Sequence, residues 1–492
     1  MNKIKRIISK GYNKYLAVPV TARAALWFVA CTMLQKCIAF ITVPILTRLM
    51  PTEEYGIYST YLSWYGILTA FCTLNMHSCV YVNDYTKAND EKERDAVAVP
   101  LLSLSEILTI ALFVIYVIFH KYLDNIIALP FPVTCLLFAQ ILFEPPVNFW
   151  SMKQRFEYRY VSLVIRTLSM VVLNAVLGII FVYFSVTDHA LAKVSSAVLV
   201  QLIFGGIFYV YFFKRAKKIF SVKGWKHALD VQLPLLPHSL SLTILSSSDR
   251  IMISNMVNKA AAGIFSVAYS AGYIVNVLKS SIVDALKPWM YQKIKEKDYA
   301  AIRKNTNIVI IFVSVISFLF TAFAPEIIFV MAPEQYHEAV YVIPPVAASS
   351  FFTFLYNMFS MVGMYYEKTK KIMVASVSGA SLNLILNYLL IPVFGYIAAA
   401  YTTLICYMFF AFAHYCIMRS VCKQYMDNVK IFNMKFIAAM SVITLISTIA
   451  FELIYDYILI RYGVVILLVA IIFIKRKTFT SALKELKKKK KS

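Results

Sequence analysis

Five basic residues lie inside long apolar segments of this chain, where a charged side chain is costly. Placing an ionised group in hydrocarbon costs about 2.5–3.5 kcal/mol on insertion scales, so such residues commonly mark a binding site or a transport pathway. Lysine and arginine donate hydrogen bonds to anionic oxygens, and the arginine guanidinium can do so with two donors at once. The candidates for binding an anion are therefore Lys36, Arg166, Lys193, Arg250 and Lys279.

Lys36 is the most informative of these residues. It lies near the middle of the first apolar segment, in "MLQKCIAF", too far from either end for its side chain to reach a membrane surface easily. Arg23 lies at the start of the same segment. There it could attract an anionic head group or simply anchor the helix at the membrane boundary.

Each of the other four basic residues also has a structural interpretation. Arg166 and Lys193 could extend toward the membrane surface along their flexible side chains. Arg250 could pair with the aspartate that precedes it. Lys279 could pair with the aspartate five residues later, although that spacing is poor for a direct contact on one helix.

Four acidic residues in apolar segments raise the question of what drives the protein. A carboxylate at that depth could carry a proton or a sodium ion, or it could be a structural partner of another side chain. The candidates are Glu106, Glu144, Asp249 and Asp284. The chain contains no GxxxxGK[ST] phosphate loop, so ATP hydrolysis is not expected, and neither a cofactor nor a bound metal is expected.

The proline pair that follows Glu144 predicts a broken helix. Proline in a helix interior removes a backbone hydrogen bond and clashes with the preceding turn. Pro145 and Pro146 should therefore interrupt the fourth apolar segment near one end. A break at that depth would leave backbone carbonyl groups available for contacts with an ion or a substrate.

The positioning elements must be membrane-spanning helices. Hydrophobic residues make up 60% of the 492 residues and charged residues only 15%. Apolar runs of roughly twenty residues, the length that crosses about 30 Å of hydrocarbon, recur along the whole chain. The sequence predicts an all-α polytopic membrane protein with about fourteen spans. They include 56–82, 229–254 and 261–286, and the last two are 432–455 and 456–474.

The distribution of lysine and arginine predicts the orientation. Basic loops stay in the cytoplasm, and here they include the N-terminus, the loop "KRAKKIFSVKGWKH" and the tail "KELKKKKKS". Both termini are therefore expected on the cytoplasmic side of the membrane. The net charge of +24 is explained by this topology and by attraction to membrane lipids, so no nucleic-acid partner is expected.

A repeated phrase indicates that the chain is duplicated. Laying "YGIYSTY" on "AGIFSVAY" aligns Gly56 with Gly263, 207 residues later, and Asn174 aligns with Asn383 at an offset of 209. The partners are six spans apart, so both halves have the same orientation, which is typical of transporters that rock two bundles about a central site. The predicted divisions are 1–218 and 219–425 for two six-helix lobes, 426–474 for two appended helices and 475–492 for a cytoplasmic polybasic tail.

Three segments resemble a known family. "PILTRLMPTEEYGIYSTY", "SSSDRIMISNMVNKAAAGIFSVAY" and "SLNLILNYLLIPVFGYIAAAYTTLICY" are similar to the polysaccharide flippases of the multidrug, oligosaccharidyl-lipid and polysaccharide exporter superfamily. The resemblance implies fourteen helices in two lobes around a central cavity. It also implies that the substrate is an undecaprenyl-diphosphate-linked oligosaccharide, flipped to the outer leaflet by alternating access, with polysaccharide polymerase machinery as a possible partner. The basic residues above would then bind the diphosphate.

Two other transport functions remain open. A cation-coupled drug and toxin antiporter of the same superfamily would favour an acidic cavity, whereas the deepest isolated charge here is Lys36. A flippase for the peptidoglycan lipid precursor would differ only in the sugars carried on the diphosphate. An enzyme is not expected, because a membrane glycosyltransferase or polymerase usually has a substantial domain outside the membrane and no connection here is long enough to form one.

Overall fold

The computed structural model describes residues 18–88, 91–215 and 219–474. In these residues the chain is helical and contains no strand, which confirms the all-α prediction. The basic residues before Arg23 and the predicted tail 475–492 lie outside the described residues.

The helices follow one another with short connections. The earlier ones are α1 (Val20–Leu49), α2 (Thr52–Thr73), α3 (Val80–Lys87), α4 (Glu91–Ile127), α5 (Phe131–Leu142), α6 (Glu144–Phe156), α7 (Tyr160–Phe184), α8 (His189–Phe213) and α9 (Val222–Gln232). The later ones are α10 (Leu236–Met256), α11 (Lys259–Lys295), α12 (Tyr299–Ala322), α13 (Ala324–Met331), α14 (Ile343–Tyr365), α15 (Thr369–Phe394), α16 (Ile397–Tyr425), α17 (Met434–Leu453) and α18 (Ile458–Ile474). A 3-10 helix, Glu334–Val342, precedes α14.

The described chain forms two compact units. The first unit contains the residues up to Met50 and Tyr65–Leu236, and the second contains Pro51–Trp64 and the residues from Pro237 onward. Each unit has its own apolar core. Tyr81, Leu102 and Phe212 are among the fully buried residues of the first core, and Phe351 and Met358 are among those of the second. The lobe boundaries drawn from the repeat stay a prediction.

Ten helical segments in the described residues are long and apolar enough to cross a membrane. They correspond to ten of the fourteen predicted spans, so the count of fourteen is not confirmed. The predicted spans without a counterpart are 56–82, 229–254, 261–286 and 456–474. The first three are occupied by α2, α10 and α11, which carry many polar side chains, and α10 and α11 also carry candidate site residues. The fourth falls in α18, which has only 17 residues.

The predicted break before the proline pair is present. Helix α5 ends at Leu142 and α6 begins at Glu144, with Pro145 and Pro146 in its first turn. Two carbonyl groups at the break are bound by side chains of α8: Tyr209 Oη donates to the Leu142 oxygen at 2.6 Å and Gln201 Nε2 to the Phe143 oxygen at 3.0 Å. These carbonyls therefore serve helix packing.

Candidate functional site

A hydrogen-bonded polar cluster surrounds Asp249 inside the second unit. Asp249 lies on α10 and is only 1% exposed. One of its carboxylate oxygens accepts a hydrogen bond from Asn387 Nδ2 on α15 at 2.7 Å, and the other accepts one from Thr403 Oγ1 on α16 at 2.7 Å. Thr402 donates to the side-chain oxygen of Asn387, and Ser248 donates to that of Asn383 at 3.2 Å. The cluster thus consists of a buried carboxylate on α10 and polar side chains from α10, α15 and α16.

The cluster is suited to holding a small cation. All hydrogen bonds that Asp249 receives in the described residues come from neutral groups, and no basic side chain there forms an ion pair with it. A buried carboxylate that forms no ion pair is stabilised when a proton or a cation binds to it. Carboxylate, amide and hydroxyl oxygens are the ligands that hard cations prefer. The arrangement can therefore bind and release a proton or an ion such as sodium.

Arg250 is separated from this cluster although it is the next residue. Its Nη1 donates to the Ser246 carbonyl oxygen at 3.3 Å, and its guanidinium carbon lies 4.7 Å from the centre of the Tyr269 ring. The alternative interpretation of an internal pair with Asp249 is not what the structure shows. Arg250 instead makes a cation–π contact with α11.

Lys279 and Asp284 line a single cavity of about 320 Å³ in the second unit. Lys279 Nζ donates to Asn276 Oδ1 at 2.7 Å, and no ion pair joins it to Asp284 among the described residues. The other lining residues are polar and aromatic side chains with two aliphatic ones: Leu242, Ser280, Val283, Thr353, Tyr356, Asn357 and Tyr407. The cavity thus combines one ammonium group and one carboxylate with hydroxyl, amide and aromatic side chains.

The predicted basic residues of the first unit lie on α1, α7 and α8. Arg23 and Lys36 are both half-buried on α1. Arg166, on α7, lies with its guanidinium carbon 5.4 Å from the Trp150 ring centre and donates to the Val147 carbonyl oxygen at 3.5 Å. Lys193, on α8, is almost fully buried and donates to Asn174 Oδ1 at 2.7 Å. Lys193 therefore contacts a neighbouring helix within its unit, not the membrane surface.

The two acidic candidates of the first unit differ in how they are held. Glu144 accepts hydrogen bonds from Asn148 Nδ2 and Thr69 Oγ1, both at 3.0 Å. Glu106, on α4, has one buried carboxylate oxygen that accepts no hydrogen bond from the described residues. Neither forms an ion pair in the described part of the chain.

Comparison with known protein families shows which family this chain belongs to. The model of the family described as "Polysaccharide biosynthesis protein" matches residues 21–294, more than half of the chain. The chain belongs to this polysaccharide biosynthesis family. A second family model, MatE, matches residues 234–389 of this family member. A comparison with curated proteins gave no significant match.

Several solved structures share the fold of this polysaccharide biosynthesis protein. It resembles the Lipid II flippase MurJ in an inward closed conformation, with a TM-score of 0.63 and 15% identity over 92% of this chain and 99% of that one. It also resembles an inward-facing multidrug resistance MATE family transporter of the MOP superfamily, with a TM-score of 0.62 and 14% identity over 82% and 99% of the two chains. A MOP superfamily transporter from Pyrococcus furiosus matches with a TM-score of 0.54 and 15% identity over 82% and 95%. The fold is therefore that of MATE and MurJ proteins, and these matches are a flippase and transporters, which fits the expectation that the chain is not an enzyme.

The sequence predicted the charged residues of the Asp249 cluster and of the Lys279 cavity, but not the neutral residues beside them. Asn387 and Thr403 bind Asp249, and Tyr356 and Asn357 line the cavity of Lys279. One signal was available: Asn383 and Asn387 are four residues apart in "SLNLILN", so a helix places them on one face. The aromatic and threonine members had no such signal, because those residue types are common throughout apolar helices.

Proposed function

We propose that this chain is a flippase for an undecaprenyl-diphosphate-linked oligosaccharide repeat unit in surface polysaccharide synthesis, such as that of O-antigen, capsule or exopolysaccharide. Two observations support the proposal. The chain belongs to a polysaccharide biosynthesis family and has the fold of MATE and MurJ proteins, and its second unit contains a cavity lined by a lysine. The substrate moves from the inner to the outer leaflet of the bacterial cytoplasmic membrane. Both termini are cytoplasmic.

The cavity of Lys279 supplies the groups that such a head group needs. The ammonium group of Lys279 binds a phosphate oxygen, because charge-assisted hydrogen bonds are the strongest available to an anion. Tyr356 and Tyr407 offer ring faces to a sugar, and Asn357 and Thr353 offer polar groups to its hydroxyls. A cavity of about 320 Å³ accommodates a phosphate with part of one sugar, so the rest of the substrate must be bound elsewhere.

Other basic residues contribute to the path of the diphosphate. Lys36, Arg23, Arg166 and Arg250 are the residues proposed for this role, with Lys36 the first to test because of its depth in α1. Lys193 was also predicted to bind the substrate. Its buried hydrogen bond to Asn174 supports a different role.

Exchange of a cation at Asp249 drives the conformational cycle. The buried carboxylate with neutral ligands on α10, α15 and α16 is the best supported coupling site, ahead of Glu106, Glu144 and Asp284. Binding and release of one proton or sodium ion changes the charge of the polar cluster that joins these three helices. A ligand shifts a conformational equilibrium by its difference in affinity for the two states, so an ion gradient can bias the cycle.

The peptidoglycan lipid precursor is the second candidate substrate. The match to the Lipid II flippase MurJ over 92% of this chain favours it, although an identity of 15% establishes only the fold. The cationic drug antiporter is less favoured, because the cavity contains Lys279 besides Asp284. Membrane lipids and polysaccharide polymerase machinery are the proposed partners.

Reconstitution tests the proposal. The purified protein is placed in vesicles with a fluorescent undecaprenyl-diphosphate oligosaccharide or with fluorescent Lipid II, and the outward movement of each lipid is measured by its accessibility to an external quencher. We expect faster movement of the oligosaccharide lipid than in protein-free vesicles. Movement of Lipid II alone would move the assignment to the peptidoglycan precursor, and movement of neither lipid would contradict a flippase.

A further inference from the structure

Lys193 lies in a socket that is shaped for its side chain. Its Nζ donates to Asn174 Oδ1 at 2.7 Å and to the Asn174 carbonyl oxygen at 3.4 Å. A Cβ atom at Gly178 would lie 2.6 Å from Nζ and 2.8 Å from Cε, so a larger residue at this position would require the end of the lysine side chain to move. With Lys193 only 3% exposed, α7 and α8 enclose the ammonium group.

The internal repeat aligns the residues of this socket with residues of the Asp249 cluster in the sequence. Helix α7 begins at Tyr160 and α15 begins at Thr369, 209 residues later, the same offset that relates Asn174 to Asn383. At this offset Gly178 corresponds to Asn387, and carrying the same offset on to α8 and α16, whose first residues are 208 apart, aligns Lys193 with Thr402. In the second unit those counterparts belong to the Asp249 cluster, where Asn387 donates to the carboxylate and accepts a hydrogen bond from Thr402.

The acidic member of the cluster has no acidic counterpart in the first unit. Helix α1 ends at Leu49 and α10 ends at Met256, an offset of 207, which aligns Asp249 with Thr42. At these aligned positions the first unit has a threonine in place of the carboxylate and a lysine in place of a threonine. The second unit is arranged to receive a positive charge from solution, whereas the first carries one on its own chain.

We propose that Lys193 is a tethered cation, which occupies in the first unit the place that an exchangeable cation takes beside Asp249 in the second. This inference rests on the proposed coupling role of Asp249. It assigns all cation exchange to the second unit, with one ion bound per chain, and it gives Lys193 a role other than contact with the substrate. Gly178 is the companion substitution, since asparagine at that position would collide with the lysine.

Exchange of the repeated residues between the units tests the proposal. Binding of radioactive sodium is measured for the full-length protein in lipid nanodiscs, in four forms: unchanged, Asp249→Asn, the graft Thr42→Asp with Gly178→Asn and Lys193→Thr, and the graft combined with Asp249→Asn. We expect one bound sodium ion per chain in the unchanged protein and none in Asp249→Asn. We expect two in the graft and one in the graft combined with Asp249→Asn. A folded graft that binds one ion, and none when combined with Asp249→Asn, would overturn the tethered-cation role.

A second measurement applies if the unchanged protein binds no sodium or the graft does not fold. Lys193→Ala vacates the socket, and its thermal unfolding is followed with added ethylammonium or with ethanol as the neutral control. We expect ethylammonium alone to restore part of the lost stability. Equal effects of both additives, or no effect of either, would overturn the inference. Absence of sodium binding together with rescue by ethylammonium would instead contradict only sodium coupling at Asp249.

Discussion

Gly56 and Gly263 lie with their backbones against each other inside the second unit. A Cβ atom on Gly56 would lie 1.8 Å from the Lys259 carbonyl oxygen, and one on Gly263 would lie 3.0 Å from the Gly56 amide nitrogen. Glycine at both positions is what lets α2 and α11 approach so closely, as small residues do at helix contacts in membranes. The phrase that occurs twice in the sequence is therefore a helix contact in which each copy supplies one glycine.

Substitution of Gly56 by alanine should destabilise the protein. The added methyl group cannot fit against the Lys259 carbonyl, and overpacking of this kind costs about 1–3 kcal/mol. We expect a lower temperature of unfolding in detergent, measured by intrinsic fluorescence. Gly206→Ala is the matched control, because a Cβ there meets no atom within 4 Å. Equal stability of the two variants would contradict the contact.

The ion pair between Arg461 and Glu326 should anchor the last helix. Arg461, on α18, is 2% exposed and donates to Glu326 on α13, which also accepts a hydrogen bond from Tyr462 Oη at 2.8 Å. Removing one partner leaves the other charge unpaired, and because the Glu326 side chain is 36% exposed the cost should be below the roughly 3–5 kcal/mol of a fully buried pair. We expect Arg461→Met to unfold at a markedly lower temperature than the unchanged protein. Adding Glu326→Gln to Arg461→Met should raise the unfolding temperature part of the way back, because no unpaired charge then remains. A double variant that unfolds at a lower temperature than Arg461→Met would contradict a stabilising ion pair.

Neutralising Asp249 should uncouple transport from its driving ion. Asp249→Asn keeps the shape of the side chain but removes the charge that a cation must balance. We expect transport driven by an imposed sodium or proton gradient to fall on the order of tenfold, equivalent to about 1.4 kcal/mol. Asp230→Asn, an exposed aspartate on α9, serves as the control. Unchanged gradient dependence in Asp249→Asn would move the coupling role to Glu106, Glu144 or Asp284.

Removing the charge of Lys279 should weaken substrate binding. The loss of one charge-assisted hydrogen bond to a phosphate corresponds to about 1.5–3 kcal/mol, so we expect the apparent affinity of Lys279→Gln for the diphosphate lipid to fall by roughly tenfold to a hundredfold. Lys287→Gln is the control, since Lys287 lies on the same helix but is exposed and does not line the cavity. The measurement is a titration of initial flipping rate against lipid concentration. Similar affinities for the two variants would remove Lys279 from the site.

The sequence predicted the helical architecture well because membrane spans depend on local apolar runs. The spans that it predicted at α2, α10 and α11 are not confirmed, because the polar residues of these helices lower their apolar character. Asp249 and Lys279 were predicted as candidates because they are ionisable residues in apolar segments, and they lie in a buried cluster and in a cavity, respectively. Their partners Thr403 and Tyr407 come from α16, more than a hundred residues away, and no local pattern indicates such contacts.

Lys193 also shows that the sequence does not reveal which residues a buried charge contacts. A lysine in an apolar span suggested a substrate ligand, because sequence position gives the depth of a charge but not its neighbours. The structure supplies Asn174 as its partner and Gly178 as the residue that makes room for it. With these contacts known, the repeat offset of 209 becomes informative about function, since it relates a lysine socket to a carboxylate cluster.

The most direct test of the flippase assignment is an analysis of lipid-linked glycans in cells that lack this protein. The deletion strain is complemented with the unchanged chain or with Lys36→Ala at matched abundance. We expect a diphosphate-linked oligosaccharide to accumulate on the cytoplasmic face, to be relieved by the unchanged chain and to persist with Lys36→Ala. Absence of accumulation, with increased sensitivity to cationic drugs, would contradict the flippase assignment and favour an antiporter.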